Sequence, residues 1–337
     1  MSDDLPVLGH RLRDMDDRVL RHPADRAASA ALRSVPGLMA VARKLIELGY
    51  ERALRQNLLA SSVRLSAQQL PDVFDLHRSA YTILEIPRTP ELYVAEHPVG
   101  NALTIGSQDP LVLVHSRLLD QLDADQLRVV FAHEAGHVLA DHVLYGTVLE
   151  ILMEMGGGAL SRTLPTALPL MAVRNALLEW KRAAELTCDR IAALVVRDPI
   201  LVCRTLMSVT AGTAGRKLDL GAFLAQADDY GQQSRGLTGR WRRLTLELNA
   251  THPLSVHRAH ELMAWVRSGD YERIRDGDYP RRSEAEDPDV KAEAKAAADY
   301  YRERFEGAVR DVAGQAESAT KNVADWLQKT LGGDGPR

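Results

Sequence analysis

Three things are scarce in this chain. Only two cysteines, Cys188 and Cys203, occur in 337 residues, which excludes a disulfide framework of the kind that holds small secreted domains. Charge of one sign is not in excess: the formal net charge is -4, which gives no global attraction to nucleic acid or anionic lipid. Long apolar runs are missing too. The most apolar stretch, 143–178, is interrupted by Glu150, Glu154, Arg162 and Arg174, so it falls short of the roughly 18 uninterrupted apolar residues that a membrane span needs. The first residues, MSDDLPVLGHRL, are acidic where a secretory signal is basic and then apolar. The expectation is a cytoplasmic protein without nucleic-acid partners, with peripheral membrane contact left open.

What is present is a regular alternation of patterns. Helical spacing of Leu38, Val41, Leu45, Leu48, Leu54 and Leu58 predicts a helix over 37–61, and a second is expected over 67–84 behind Ser66. Three short extended runs follow at 91–95, 102–105 and 111–114, separated by turns rich in Pro, Gly, Asn and Asp. Asp123 and Gln126 form a capping-box variant that opens a helix expected to run through His142, with Leu127, Val130, Phe131, Val138 and Leu139 turned to the core. Gly156, Gly157, Gly158, Pro165 and Pro169 divide 143–178 into two helical pieces, and a long helix is expected over 173–197. The class is α+β, predominantly helical, with a small sheet.

The chemistry is concentrated in His133-Glu134-Ala135-Gly136-His137. Residues 133 and 137 are one helical turn apart, so both imidazoles leave the same face and converge on one divalent ion, with Glu134 beside it to act as general base. Two histidines on an exposed helix are the plain alternative. Gly136 argues against it, because glycine inside a helix costs about 1 kcal/mol relative to alanine and is tolerated where another backbone or a substrate comes close. A third ligand is expected from the following long helix, where Glu185 and Asp189 stand one turn apart. Glu185 completes a His, His, Glu set that leaves a fourth position for water, and Asp189 holds a ligand imidazole from behind. Without the histidine motif, that pair reads as a solvated helix face.

These motifs, together with Asn101-Ala102-Leu103-Thr104-x-Gly106 before them and Thr251-His252-Pro253 with Arg258 after them, resemble the gluzincin metalloprotease family of the CAAX prenyl endopeptidases and bacterial HtpX. The likeness covers roughly 91–266. It implies a zincin-like metalloprotease fold with the small sheet packed beside the active-site helix, and one zinc ion held by His133, His137 and Glu185. It further implies Glu134 as general base and Asp189 as the residue orienting a ligand. Asn101, Ala102, Leu103 and Thr104 become the edge strand to which a polypeptide substrate adds. Position 103 is Leu where relatives often carry an aromatic residue, and Cys188 stands where a small alanine is usual.

His252, extended by Pro253, either donates to the oxyanion of the tetrahedral intermediate or merely joins two helices. Cys188 reads as a small buried residue or as a regulatory thiol. His257 and His260 read as solvated or structural, and His142, five residues beyond His137, is expected to point off the metal face and to lie behind a ligand or at the surface. Arg235, Arg240, Arg242 and Arg243 beside Trp241 read as a solvated loop or a contact to phosphate or a lipid surface.

The expected organisation is an N-terminal helical region, 1–85, packing on a catalytic domain, 86–280, and a hinge with a helical tail, 281–337. In the tail Phe305, Val309, Val312, Ala316, Ala319, Val323 and Trp326 form a seam that docks on the body or on a partner helix. The functional expectation is a zinc-dependent endopeptidase. A catalytically silent or latent metal-binding scaffold of the same fold is the alternative.

Overall fold

The computed structural model of the protein describes residues 10–34, 50–156, 164–233 and 254–284. Along them run α1 (Pro23–Ser34), α2 (Tyr50–Ser61), β1 (Val63–Arg64), α3 (Pro71–Ile83), β2 (Glu91–Ala95), β3 (Ala102–Ile105) and β4 (Leu111–His115). Then come α4 (Ser116–Gln121), α5 (Ala124–Leu139), α6 (Val143–Gly156), α7 (Leu164–Val196), α8 (Pro199–Ala211), α9 (Leu220–Gln233), α10 (Ser255–Arg267) and α11 (Asp270–Arg275). The expected α+β, mostly helical class is what the chain adopts. The first half of the helix expected over 37–61, the tail seam, the arginine-rich segment 235–243 and His252 lie outside the described residues.

The four strands form one mixed sheet in the order β1-β2-β4-β3. β2 and β4 pair in parallel, and β3 returns antiparallel to β4 with Thr104 opposite Val112. β3 is therefore an edge. Alternation along the strands gives the sheet two apolar faces. Leu92, Ala102, Val112 and Val114 pack with Leu127 and Phe131 of α5, while Tyr93, Ile105 and Leu111 pack with Leu58 of α2.

Helix boundaries follow local chemistry, and three differ from expectation. α3 begins at Pro71 rather than 67, because the backbones of Ser66 and Gln69 close a tight turn and Leu70 adopts φ 50° before the proline. Proline suits the first helical turn, where its missing N–H has no partner to lose. α7 starts at Leu164, so Pro165 and Pro169 fall in its opening turns instead of breaking it. α5 opens on the expected capping box, with Asp123 Oδ1 accepting from Gln126 N at 2.9 Å and Gln126 Oε1 accepting from Asp123 N at 3.2 Å.

It stops at Leu139, short of His142. Asp141 takes φ 57°, its N–H donates to Val138 O, and the N–H of His142 donates to His137 O at 2.9 Å. That pair of bonds is a Schellman ending, which folds residue C″ back over residue C3.

α5 is not an amphipathic helix lying on a core; it is the core's axis. Val129, Phe131, Ala132 and Ala135 are all buried, as are His133, Glu134 and His137. α3 and the sheet cover one side, α7 and α8 the other. Leu12, Met15 and Leu20, ahead of α1, join the same apolar cluster as the C-terminal half of α7.

Candidate metal centre

Four elements meet around the carboxylates of Glu134 and Glu185. α5 brings His133, Glu134 and His137, α7 brings Lys181, Glu185 and Asp189, β3 brings Thr104, and α10 brings Arg258. α5 and α7 come close because Gly136 has no side chain: a Cβ there would lie 3.2 Å from Cys188 Cα and 3.3 Å from its Sγ. The glycine thus sits where another backbone comes close.

His133 Nε2 lies 3.2 Å from Glu185 Oε2, and His137 Nε2 lies 3.4 Å from Glu185 Oε1. A tetrahedral ion with bonds of about 2.0–2.2 Å to nitrogen and oxygen separates its ligand atoms by about 3.3–3.6 Å. The donor set fits zinc in type and in spacing. On its far edge His133 Nδ1 is 3.1 Å from Asp189 Oδ1, as a ligand imidazole requires.

His133, His137 and Cys188 also form a group whose potential ligand atoms lie within 4.8 Å of one another. Two observations favour Glu185 over this thiol. Both Nε2 atoms face the carboxylate, whereas Cys188 Sγ lies 3.7 Å from His142 Nδ1, on the Nδ1 side of His137. Burial and the neighbouring Glu185 charge also push the Cys188 thiol well above its usual range, as for a small buried residue.

Two cations of the chain face the carboxylates of α7. Arg258 grips Asp189 through Nε at 2.8 Å and Nη2 at 2.6 Å, and its Nη1 reaches Glu185 Oε2 at 3.0 Å. Lys181, one turn before Glu185, places Nζ 3.2 Å from Oε1. Burial resists the charge on Asp189, but Arg258 holds its carboxyl below the usual range. Burial likewise resists a charge on His133, yet its bonds to Asp189 and Glu185 raise it to about 9. His137 goes the other way: burial and the nearby Lys181 hold it well below its ordinary value.

Glu134 points to the sheet. Thr104 Oγ1 donates to Glu134 Oε2 at 2.7 Å, so a hydroxyl on the edge strand fixes the carboxylate beside the histidines. Asn101 precedes that strand and accepts from His115 N at 2.9 Å. Ala102 faces α5, and Leu103 turns to the opposite face, packed with Tyr93 and Leu111. Beyond its pairing with β4, β3 carries no further strand among the described residues.

His257 is buried and sits 3.9 Å from Glu261, a structural position. His142 lies off the metal face as expected, behind His137 rather than at the surface: it is 2 % exposed and its Nδ1 is 3.3 Å from His137 Nδ1, while His137 Nε2 faces Glu185. The motif pattern did not single out Lys181, Thr104 as partner of the base, or Asp25. For Lys181 a signal existed, since i and i+4 residues share a helix face. For Asp25, distant in sequence, none did.

A helical zinc-hydrolase motif on a buried axis, with its third acidic partner on a crossing helix, defines the class of metallopeptidases. The profile of Peptidase family M48 matches residues 68–266, more than half of the chain. The chain belongs to that family. It is 36% identical over 268 residues to the plastoglobule-localized metallopeptidase 48, chloroplastic, of Arabidopsis thaliana, covering 78% of this chain and 76% of that one. No solved structure matches it. Among the described residues, no helix is long and apolar enough to cross a membrane.

Proposed function

We propose that the protein is a zinc-dependent endopeptidase, with one ion held by His133, His137 and Glu185 and with Glu134 as general base. The observation that carries this reading is the convergence of the two Nε2 atoms on Glu185 at 3.2 and 3.4 Å, with Glu134 on the same helix between them. When bound, zinc supplies Lewis-acid chemistry, polarising a carbonyl and making water acidic enough to lose a proton near neutral pH.

The chain's own residues do the rest. A polypeptide lies along the open edge of β3 as an added strand, its backbone held by the strand's amides and carbonyls. Glu134, steadied by Thr104, takes the proton of the attacking water and then delivers it to the leaving amine. Asp189, itself clamped by Arg258, keeps Nδ1 of His133 engaged so that Nε2 stays directed inward. His252 is assigned to the oxyanion on motif order alone. The cytoplasm, with peripheral contact to a membrane surface, is the location we assign.

The test is cleavage of an unfolded polypeptide such as casein, with metal analysis on each variant. Glu134→Gln is expected to keep zinc and lose activity by more than about a hundredfold. Glu185→Ala is expected to lose zinc. Cleavage by purified Glu134→Gln at the wild-type rate sinks the assignment of the base, and wild-type protein free of zinc under all conditions sinks the whole reading. A latent or catalytically silent form of the same fold is the alternative. A latent protein would hold stoichiometric zinc and cleave nothing until activated.

A further inference from the structure

We propose that His142 and Asp25 form a positioning relay that fixes His137 with its proton on Nδ1, leaving Nε2 directed to the metal. This rests on the metallopeptidase reading above. Asp189 performs that task for His133, and among the described residues no carboxylate lies on the far nitrogen of His137. The partner there is a second imidazole. His137 Nδ1 is 3.3 Å from His142 Nδ1, and His142 Nε2 is 3.1 Å from Asp25 Oδ2.

The direction of every proton in the chain is set by donors at its ends. Trp180 Nε1–H can only donate, and it donates to Ser29 Oγ at 3.0 Å, so the Ser29 hydroxyl proton goes to Asp25 Oδ1 at 3.0 Å. The backbone N–H of His22 donates to Thr187 Oγ1 at 2.9 Å, and the Thr187 hydroxyl therefore donates to Asp25 Oδ2 at 2.7 Å. Asp25 is thus an acceptor of bonds from two hydroxyls, and it takes its third from His142 Nε2–H. With that proton on Nε2, the relay's acceptor on His142 is Nδ1. His137 Nδ1 is the nearer neighbour at 3.3 Å and donates there, with the weaker thiol donor of Cys188 at 3.7 Å. His137 then has no proton on Nε2, the atom that faces Glu185.

The helix ending makes this possible. In an uninterrupted helix, residue i+5 sits about 140° around the axis from residue i. The Schellman ending, with Asp141 in the left-handed region, instead returns residue 142 to the top of residue 137. Asp25, on α1, has no exposed surface. A buried carboxylate is kept only where it is well bonded. The relay also ties a helix outside the matched family region to the centre of the site.

The test combines a tautomer measurement with metal competition. Nitrogen-15 shifts of the histidines in zinc-free wild-type protein at neutral pH are expected to show the His137 proton on Nδ1; a proton on Nε2 overturns the relay. Zinc affinity against a competing chelator is expected to fall about 10- to 100-fold in His142→Ala. Asp25→Asn, a neutral acceptor, is expected to show a smaller loss. His142→Asn, whose side-chain oxygen can stand where Nδ1 stood, should recover most of the affinity lost in His142→Ala.

Unchanged affinity in a folded His142→Ala protein overturns the proposal. Circular dichroism of each metal-free variant separates weakened binding from failure to fold. Wild-type protein that takes up no zinc would sink the metallopeptidase reading, while the nitrogen shifts would still decide the relay.

Discussion

Single side chains set the chemistry, and the most informative are those whose partner lies across the chain. Thr104 is one. Its hydroxyl holds Glu134 Oε2, so Thr104→Val, which keeps β propensity and the strand's backbone, is expected to lower kcat about tenfold or more with little change in KM. Steady-state kinetics on a fixed peptide check this, and an unchanged kcat would show that the hydroxyl does not position the base. His77 is another. Its ring is fully buried between Tyr81 and Phe131, with Nε2 2.9 Å from Pro90 O, and burial pushes its pKa down to about 4.

Because the folded value lies below the unfolded 6.5, the unfolded chain binds more protons between about pH 4 and 6.5. The stability tied to this neutral ring is complete above that window and is lost as pH falls through it, by up to about 3 kcal/mol. Urea unfolding near pH 7 and pH 5 should show a steeper acid loss in wild type than in His77→Gln. At this scale the sequence was legible wherever one turn of helix encodes the relation: His133 with His137, and Glu185 with Asp189. It was silent where hydrogen bonds join distant segments, as from Asp25 to His142 or from Thr104 to Glu134.

Elements carry these residues to each other, and the crossing of α5 and α7 is the decisive contact. Alanine at position 136 gains intrinsic helix propensity of about 1 kcal/mol, yet its Cβ would press on the Cα of Cys188 at 3.2 Å. That atom belongs to a buried backbone, so the helices must part. Gly136→Ala is therefore expected to be net destabilising by about 1–2 kcal/mol and to weaken zinc binding. Denaturant unfolding and chelator competition would detect both, and an alanine variant more stable than wild type would refute the close approach.

Turn chemistry and alternation revealed the strands at 91–95 and 102–105 and the capped start of α5. The far end of α5 was missed because nothing in Leu139-Ala140-Asp141-His142 spells a stop: the left-handed residue is an aspartate, where glycine is the usual signal. β1, two residues long, has no pattern to detect. Sheet order, with β4 inserted between β2 and β3, is a tertiary choice that strand periodicity does not encode.

At the scale of the whole molecule, the two ends of the described chain are bound to each other. Arg282 N donates to Asp14 O at 2.7 Å, and Leu12 N donates to Ile83 O at 2.9 Å. The segment before α1 thus links α3 to the region after α11, and α1 itself packs along α7. Periodicity could indicate a mostly helical chain, and length a sizeable core, but neither indicates that α1 would be built into the site.

The ion pairs around Glu185 have one last consequence. Lys181 and Arg258 tie the carboxylates of α7 to cations of the chain itself, so assembly of the cleft is expected to rest on the polypeptide. In small zinc-stapled modules the polypeptide collapses only when its ion enters. Here a stripped sample should keep its circular dichroism and a cooperative melting transition, and any proteolytic activity lost to the chelator should return on adding zinc, without a denaturation and renaturation cycle. A stripped sample that unfolds would show that the guanidinium and ammonium cannot stand in for the ion.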